Sequence, residues 1–419
     1  MVVLSVGCRV IKLASWKARP PQEGWKAESI GFIMKKGLLV KFLLGFLISF
    51  ITISEGIAQE EHAGIDFLID RSVINADDPD EQEIIELWKG YITSDEYKNR
   101  DSIYWSFDKM AVPDYFLWPL GMGNLRSRTP KVQCKVIGVF PVKNGYYNLK
   151  SSFSHVDKDG IAHLDGIVSI YAKKFDGTYL LVNSSQYFSE IWRKEQVGNI
   201  TYYVHPEHEF NRKEAERMSA FNLEMARKFK VKPIQFEYFV TNYARQIVRL
   251  WGHDYMPKMY IPAQSGGVAD IDNKIVYSGN NSEYYPHEVV HLYTYEKVTT
   301  RTHFWIQEGI ATYFAGSGGK DFDWHLNELK TFLQQNPVFR LNDLNELNVY
   351  IPNGKHMTDF RYVIGGLIAR EIYNKRGIQG LVSILKTGPS NTEFFRMIKV
   401  KLGVERNEFE NYIRKLATQ

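Results

Sequence analysis

The spacing of apolar and polar positions divides the chain into stretches of different period. Over 80–91 the apolar residues Ile84, Ile85, Leu87 and Trp88 recur at helical spacing behind an acidic first turn, the pattern of an amphipathic helix. A loop-rich stretch follows around 113–130, with Trp118, Gly121 and Gly123. From Lys131 the period shortens. Four β-prone runs, 132–142, 146–156, 161–172 and 178–187, are separated by Lys143-Asn144-Gly145, Asp157-Lys158-Asp159-Gly160 and Asp176-Gly177. Asn-Gly and Asp-Gly favour the positive backbone angles of tight hairpin turns. This region therefore predicts an antiparallel meander with a helix packed on one face.

The pattern changes again near 202–211. A strongly helical stretch covers 212–229, a strand 235–240 and a helix 242–250. Two short runs, 266–269 and 274–277, form a hairpin turned by 270–273. Beyond Pro286 almost everything has helical period, over 287–297, 303–315, 322–335, 359–375, 378–386, 391–402 and 405–417. The expected class is α+β. An accessory sheet-and-helix domain over 60–204 precedes a mostly helical domain with a small edge-strand sheet over 205–419, and 1–59 forms a leader.

The leader changes how charge is read. The chain carries +4 over 419 residues, yet the first 59 hold eight Lys/Arg against three Asp/Glu, so the remainder is near −1. No basic excess is left to indicate nucleic acid. Lys35 and Lys36 stand ahead of an apolar run over 42–53, and Gly56-Ile57-Ala58 supplies small residues behind it. These are the charged, apolar and cleavage regions of a signal peptide, and the apolar run is short for a membrane span. Met34 directly precedes the lysines and is the expected true start. The mature protein is then exported, periplasmic or extracellular, without stable membrane insertion. Cys8 falls in the leader and leaves Cys134 as the one cysteine of the mature chain, so no internal disulfide forms. Hydrophobic content of 44% supplies a core instead.

Candidate chemistry concentrates in His287-Glu288-Val289-Val290-His291 and in Trp305-Ile306-Gln307-Glu308-Gly309. Residues four apart on a helix lie one turn above each other, so His287 and His291 can face one ion with Glu288 beside them. Pro286 opens the helix where early N–H groups lack partners anyway. Val289, Val290 and Leu292 point elsewhere and anchor the helix in the core. Glu308, on the next helix, is placed as a third ligand. Two histidines and one glutamate, with the fourth position left to water, is the ligand set of a catalytic zinc. An ion there lowers the pKa of its water and polarises a carbonyl, while Glu288 acts as general base. Gly309 and Ala311 are small, which predicts close approach of this helix to the histidine helix.

Other motifs carry less. Asp157-Lys158-Asp159-Gly160 opens like a calcium loop but lacks the further carboxylate and the closing Glu, and reads as a hairpin turn. His205 and His208 sit on a Pro-containing linker without a third ligand and read as connector residues. Trp105, Trp118 and Tyr146-Tyr147 read as core aromatics rather than a ligand cleft. Gly316-Ser317-Gly318-Gly319-Lys320 is followed by Asp321, not the Ser or Thr of a phosphate loop.

The two metal motifs, together with Tyr362-Val363-Ile364-Gly365-Gly366-Leu367-Ile368-Ala369-Arg370 closing at Gly377, resemble the peptidase MA-like clan of gluzincins. The resemblance covers about 205–419. It implies a zinc cofactor, a peptide or protein substrate, and a Tyr362 hydroxyl that hydrogen-bonds the oxyanion, with His356 the second candidate for that role. It also implies that Gly266, Gly267, Val268 and Ala269 form the edge strand along which an extended substrate lies. Two departures stand out. The gap from His291 to Glu308 is a little shorter than in thermolysin, and the Gly-rich motif that holds a substrate amino terminus is not recognisable. The preceding meander faintly resembles cone-shaped cystatin-like or nuclear-transport-factor-like domains. The leading functional expectation is an exported zinc metallopeptidase. The alternatives are a catalytically silent binding or assembly protein on the same fold, and a zinc hydrolase of a non-peptide substrate.

Overall fold

The computed structural model describes residues 64–418, apart from 73, 76, 95–102, 107–129, 258, 260–265, 299–301, 342–349 and 354–355. The leader with Met34, Cys8 and the 42–53 run lies outside the described residues, as do Trp118, Gly121 and Gly123.

The chain enters at β1 (Ile65–Ile69) and α1 (Pro79–Thr93). Asp78 caps α1 by accepting the N–H groups of Asp80 and Glu81, with Pro79 at its first position. The meander follows as β2 (Val132–Pro141), β3 (Tyr146–Val156), β4 (Ala162–Phe175) and β5 (Thr178–Val182). Its turns carry the positive φ angles expected from their sequence, at Asn144, Gly145, Gly160, Asp176 and Gly177. Asp157 closes its turn by accepting the N–H groups of Asp159 and Ile161. Sheet order is β1-β2-β3-β4-β5. The meander is antiparallel, but β1 joins β2 in parallel because α1 carries the chain back across the sheet before β2 begins. Ile84, Ile85, Trp88 and Tyr91 of α1 pack on Cys134, Phe153 and Ile170. Trp105 and Tyr146 are also buried in the interior, as core aromatics.

The last β-run ends early. The strand stops at Val182, and Ser184–Ile191 is a helix, α2. Tyr187, Phe188 and Ile191 fall on one helical face and pack against Tyr146 and Tyr171. Two strands that the pattern did not announce follow, β6 (Arg193–Val197) and β7 (Ile200–Val204), turned at Gly198 with φ 56°. Arg193-Lys194-Glu195-Gln196 has little hydrophobic signal because β6 is an edge strand, where exposed charge is the usual guard.

The second sheet runs β10-β11-β8-β7-β6, with β8 (Phe236–Val240), β10 (Gly267–Asp270) and β11 (Ile275–Ser278). From β7, helix α3 (Arg212–Phe229) crosses over to β8, which lies parallel to β7. After β8 come α4 (Ala244–Leu250) and β9 (His253–Tyr255), and β9 leaves this sheet to pair with β4 of the first. β11 then lies parallel to β8, and β10 pairs antiparallel with β11 at the end of the strand order. This sheet is larger than the small edge-strand sheet expected, and its strands β6 and β7 precede residue 205. Fully buried Tyr202, Tyr238 and Tyr277 mark its inner strands.

Beyond β11 the fold is mainly helical: α5 (Pro286–Glu296), α6 (Phe304–Ala315), α7 (Phe322–Gln335), then the hairpin β12 (Tyr350–Asn353) and β13 (His356–Asp359), α8 (Phe360–Leu385), α9 (Asn391–Leu402) and α10 (Phe409–Thr418). α8 breaks at Gly377, φ 59°, between the two helical stretches expected there. Val289, Val290 and Leu292 are buried in the main core, as their spacing required. Gly309 packs elsewhere than expected. Its neighbour is Gly365 of α8, not the histidine helix: a Cβ on Gly309 would lie 2.2 Å from the Gly365 carbonyl carbon. Among the described residues no helix is long and apolar enough to cross a membrane.

Candidate metal centre

The first turns of α5 set the site. Pro286 occupies its first position, so His287 and Glu288 follow at once and His291 lies one turn on. α6 brings Glu308 across from the facing helix. All four side chains are buried, with residue exposures of 3, 6, 1 and 2%. Four ionisable groups taken out of water are costly unless each charge is compensated.

The histidine nitrogens face the carboxylate. His287 Nε2 lies 3.1 Å and His291 Nε2 3.6 Å from Glu308 Oε2. Ligand atoms of a tetrahedral zinc with bonds of about 2.0–2.1 Å stand about 3.3–3.4 Å apart. The two separations bracket that value, and the three donor atoms lie within 4.8 Å of one another. Among the described residues this is the one group of three or more His, Cys, Asp or Glu side chains that converges in this way. The donor set and its spacing therefore fit zinc.

The partners outside the trio hold it in that orientation. His287 donates Nδ1–H to the Gly316 carbonyl at 2.6 Å, so Nε2, which faces Glu308, is the nitrogen that would give up its proton to bind a metal. Gly316 has φ 71°, and a Cβ there would fall 1.9 Å from the Lys320 oxygen, so the Gly-rich stretch is a tight turn that delivers a carbonyl. Thr294 donates to Gln307 Oε1 at 2.9 Å and ties α5 to α6 beside Glu308. Burial by itself would lower the His287 pKa, but the hydrogen bond to Glu308 and the charges of Glu288 and Glu308 outweigh it and raise it. Glu308 moves down despite burial, because the His291 and His287 charges favour its ionised form.

Glu288 behaves differently. Burial raises its pKa, and the nearby imidazoles and the Ala269 N–H only partly oppose that. Its carboxyl is thus adjusted toward holding a proton. Val268 and Ala269 are buried in the edge strand beside α5, and Gly267 admits the Tyr285 ring where a Cβ would meet it at 2.3 Å. Gly266 precedes the strand, and its carbonyl accepts the Gly279 N–H.

Tyr362, in the first turn of α8, is half-buried, and its ring lies 5.8 Å from that of His287 with 12° between planes. It also meets Phe304 at 6.0 Å. The backbone of His356 lies in β13, and its side chain is outside the described residues. A cleft of about 770 Å³ opens beside the site, and His287 is the one member of the four that lines it, between Tyr285 and the 316–322 turn.

His208 and His325 are buried among partners that the sequence does not identify. His208 is not a simple connector. Its Nε2 lies 2.8 Å from Glu283 Oε1, and its Nδ1 lies 2.9 Å from Asn242 Oδ1 and 3.1 Å from Asn281 Oδ1. The Pro206 linker hid this, since all its partners come from other loops. His325 does carry a signal. It falls on the buried stripe Phe322, His325, Leu329, Leu333 of α7, where a polar side chain at an apolar position implies specific partners.

No protein-family model matches the chain, and no curated protein sequence matches it. Among solved structures it is similar to a variant of an M1 zinc metallopeptidase from Deinococcus radiodurans bound to a Tyr-Ser-Ala substrate. Identity is 14% and the TM-score 0.30, over 69% of this chain and 64% of that one. The chain thus spans about 64% of that neighbour's length. At that TM-score the likeness carries no weight, and the functional reading rests on the side chains above.

Proposed function

We propose that the chain is a zinc-dependent metallopeptidase that hydrolyses peptide bonds. The observation that supports this most directly is the pair of Nε2–Oε2 separations, 3.1 and 3.6 Å, among His287, His291 and Glu308. These three residues would hold zinc, which when bound would supply Lewis-acid polarisation of a carbonyl and lower the pKa of a water. The chain's own groups do the rest. Glu288, beside His287 on the same helix, takes the proton from the attacking water as oxygen bonds to the carbonyl carbon. It returns that proton to the amine nitrogen as the C–N bond breaks. Tyr362 hydrogen-bonds the oxyanion that develops on the carbonyl oxygen. Gly266, Gly267, Val268 and Ala269, at the β10 end of the second sheet, align an extended substrate by β-augmentation. The first sheet is an accessory unit, and a signal peptide within 1–59 directs export.

The test is a peptide-library digest with the parent and E288Q proteins, each with and without chelator. Cleavage by the parent that chelator abolishes, and that E288Q lacks while retaining zinc, is the expected result. Cleavage by E288Q at the parental rate would exclude the mechanism. Zinc bound with no peptide cleaved, but ester or amide substrates hydrolysed, would move the reading to a different hydrolase.

A further inference from the structure

The metal ligands and Tyr362 stand on different helices, and a buried imidazole outside both connects them. His325 in α7 is 3% exposed, and Thr358 in β13 is fully buried. His325 Nε2 lies 2.8 Å from the Ser317 carbonyl oxygen, and its Nδ1 lies 3.1 Å from Thr358 Oγ1. A carbonyl only accepts, so Nε2 carries the hydrogen. In the neutral ring Nδ1 then accepts the Thr358 hydroxyl.

The two ends of this bridge lead to the two halves of the site. Ser317 follows Gly316, whose carbonyl takes the Nδ1–H of His287. Thr358 precedes Asp359, which caps α8 by accepting the Arg361 N–H and pairs with the Arg361 guanidinium. Tyr362 is the next residue of that turn. We propose that His325 is a positioning residue. Its Ser317 bond fixes the Gly316 carbonyl against His287, and its Thr358 bond fixes the foot of the helix that presents Tyr362. The carbonyl that orients a ligating imidazole is shaped by the backbone around it, so loss of the Ser317 bond is felt as metal affinity. Loss of the Thr358 bond is felt at Tyr362, in turnover.

The inference rests on the zinc reading for both arms and on the peptidase reading for the second alone. The test compares H325L, H325Q and T358V in the full-length protein by zinc competition against a chelator and by steady-state kinetics. H325L, which removes both bonds, is expected to weaken zinc by about 10–100-fold, the usual cost of losing an outer partner of a ligand. H325Q, whose amide nitrogen reaches the Ser317 carbonyl, is expected to recover most of that affinity. T358V is expected to bind zinc within about twofold of the parent, with kcat lowered and KM unchanged.

A general loss of stability would not divide the two readouts between Ser317 and Thr358. Parental zinc affinity in folded H325L would overturn the inference, as would equal zinc loss in T358V and H325L. Should H325L not fold, the zinc affinity of H325Q and T358V decides by the same criteria. If no peptide is cleaved by the parent, the zinc comparison still decides the Ser317 arm, and the peptidase reading alone is what fails.

Discussion

Gly309 and Gly365 meet backbone to backbone. A Cβ on Gly309 would stand 2.2 Å from the Gly365 carbonyl carbon, and one on Gly365 2.0 Å from the Trp305 oxygen. One glycine follows the metal-facing Glu308 and the other lies three residues after Tyr362, so this contact sets how far apart the two helices carry their functional side chains. Each glycine costs about 1 kcal/mol relative to Ala in a helix, and the close crossing is what the structure gains in return. G309A and G365A are expected to lose about 1–3 kcal/mol by overpacking, because the obstacle is backbone and not the end of a flexible side chain. Denaturant unfolding of the two variants measures this.

Removing the third ligand acts on the metal first. E308A is expected to lower zinc affinity by more than the roughly 10–100-fold typical of losing an outer partner, since a direct donor is gone. Chelator competition reads the loss.

Tyr362 lies over the His287 ring rather than deep in the core. Y362F is expected to lower kcat by about 10²–10³-fold, the usual cost of one oxyanion donor. KM is expected to stay near the parental value, and zinc content is expected to be unchanged.

The His208–Glu283 pair predicts a pH dependence of stability remote from the metal. Burial would lower the His208 pKa, but the hydrogen bonds to Glu283, Asn242 and Asn281 outweigh it and the net shift is upward. A group whose folded pKa is raised contributes its stability in full below the unfolded pKa, about 6.5 for histidine. That contribution is lost as pH rises through the folded value. H208Q is therefore expected to be less stable than the parent by about 1–3 kcal/mol at pH 5–6, with the difference shrinking toward pH 9. Denaturant midpoints across that range test the sign.

The helical half of the fold was legible because its periods are long and its ends punctuated. Asp321, Asp359 and Ser390 cap helices at the places where the spacing changes, and Gly377 breaks α8 where the pattern does. The His287, His291 and Glu308 cluster was legible because helical spacing alone aligns the first two, and only the meeting with α6 had to be inferred. What stayed hidden depends on partners far apart in sequence. The β6 strand shows as charge because its neighbours bury only one of its edges. His208 finds Glu283 75 residues away, and His325 finds Thr358 33 residues away. The Gly309 contact was visible as a small residue but not as a choice of neighbour, since composition does not say which helix comes close.

Zinc K-edge X-ray absorption on the purified protein and on E308A tests the central claim most directly. The account predicts one zinc per chain with two imidazole nitrogens and one or two further oxygens at about 2.0–2.1 Å, one fewer protein oxygen in E308A, and no sulfur. A third imidazole in the parent, a sulfur ligand, or a zinc shell unchanged by E308A would contradict it.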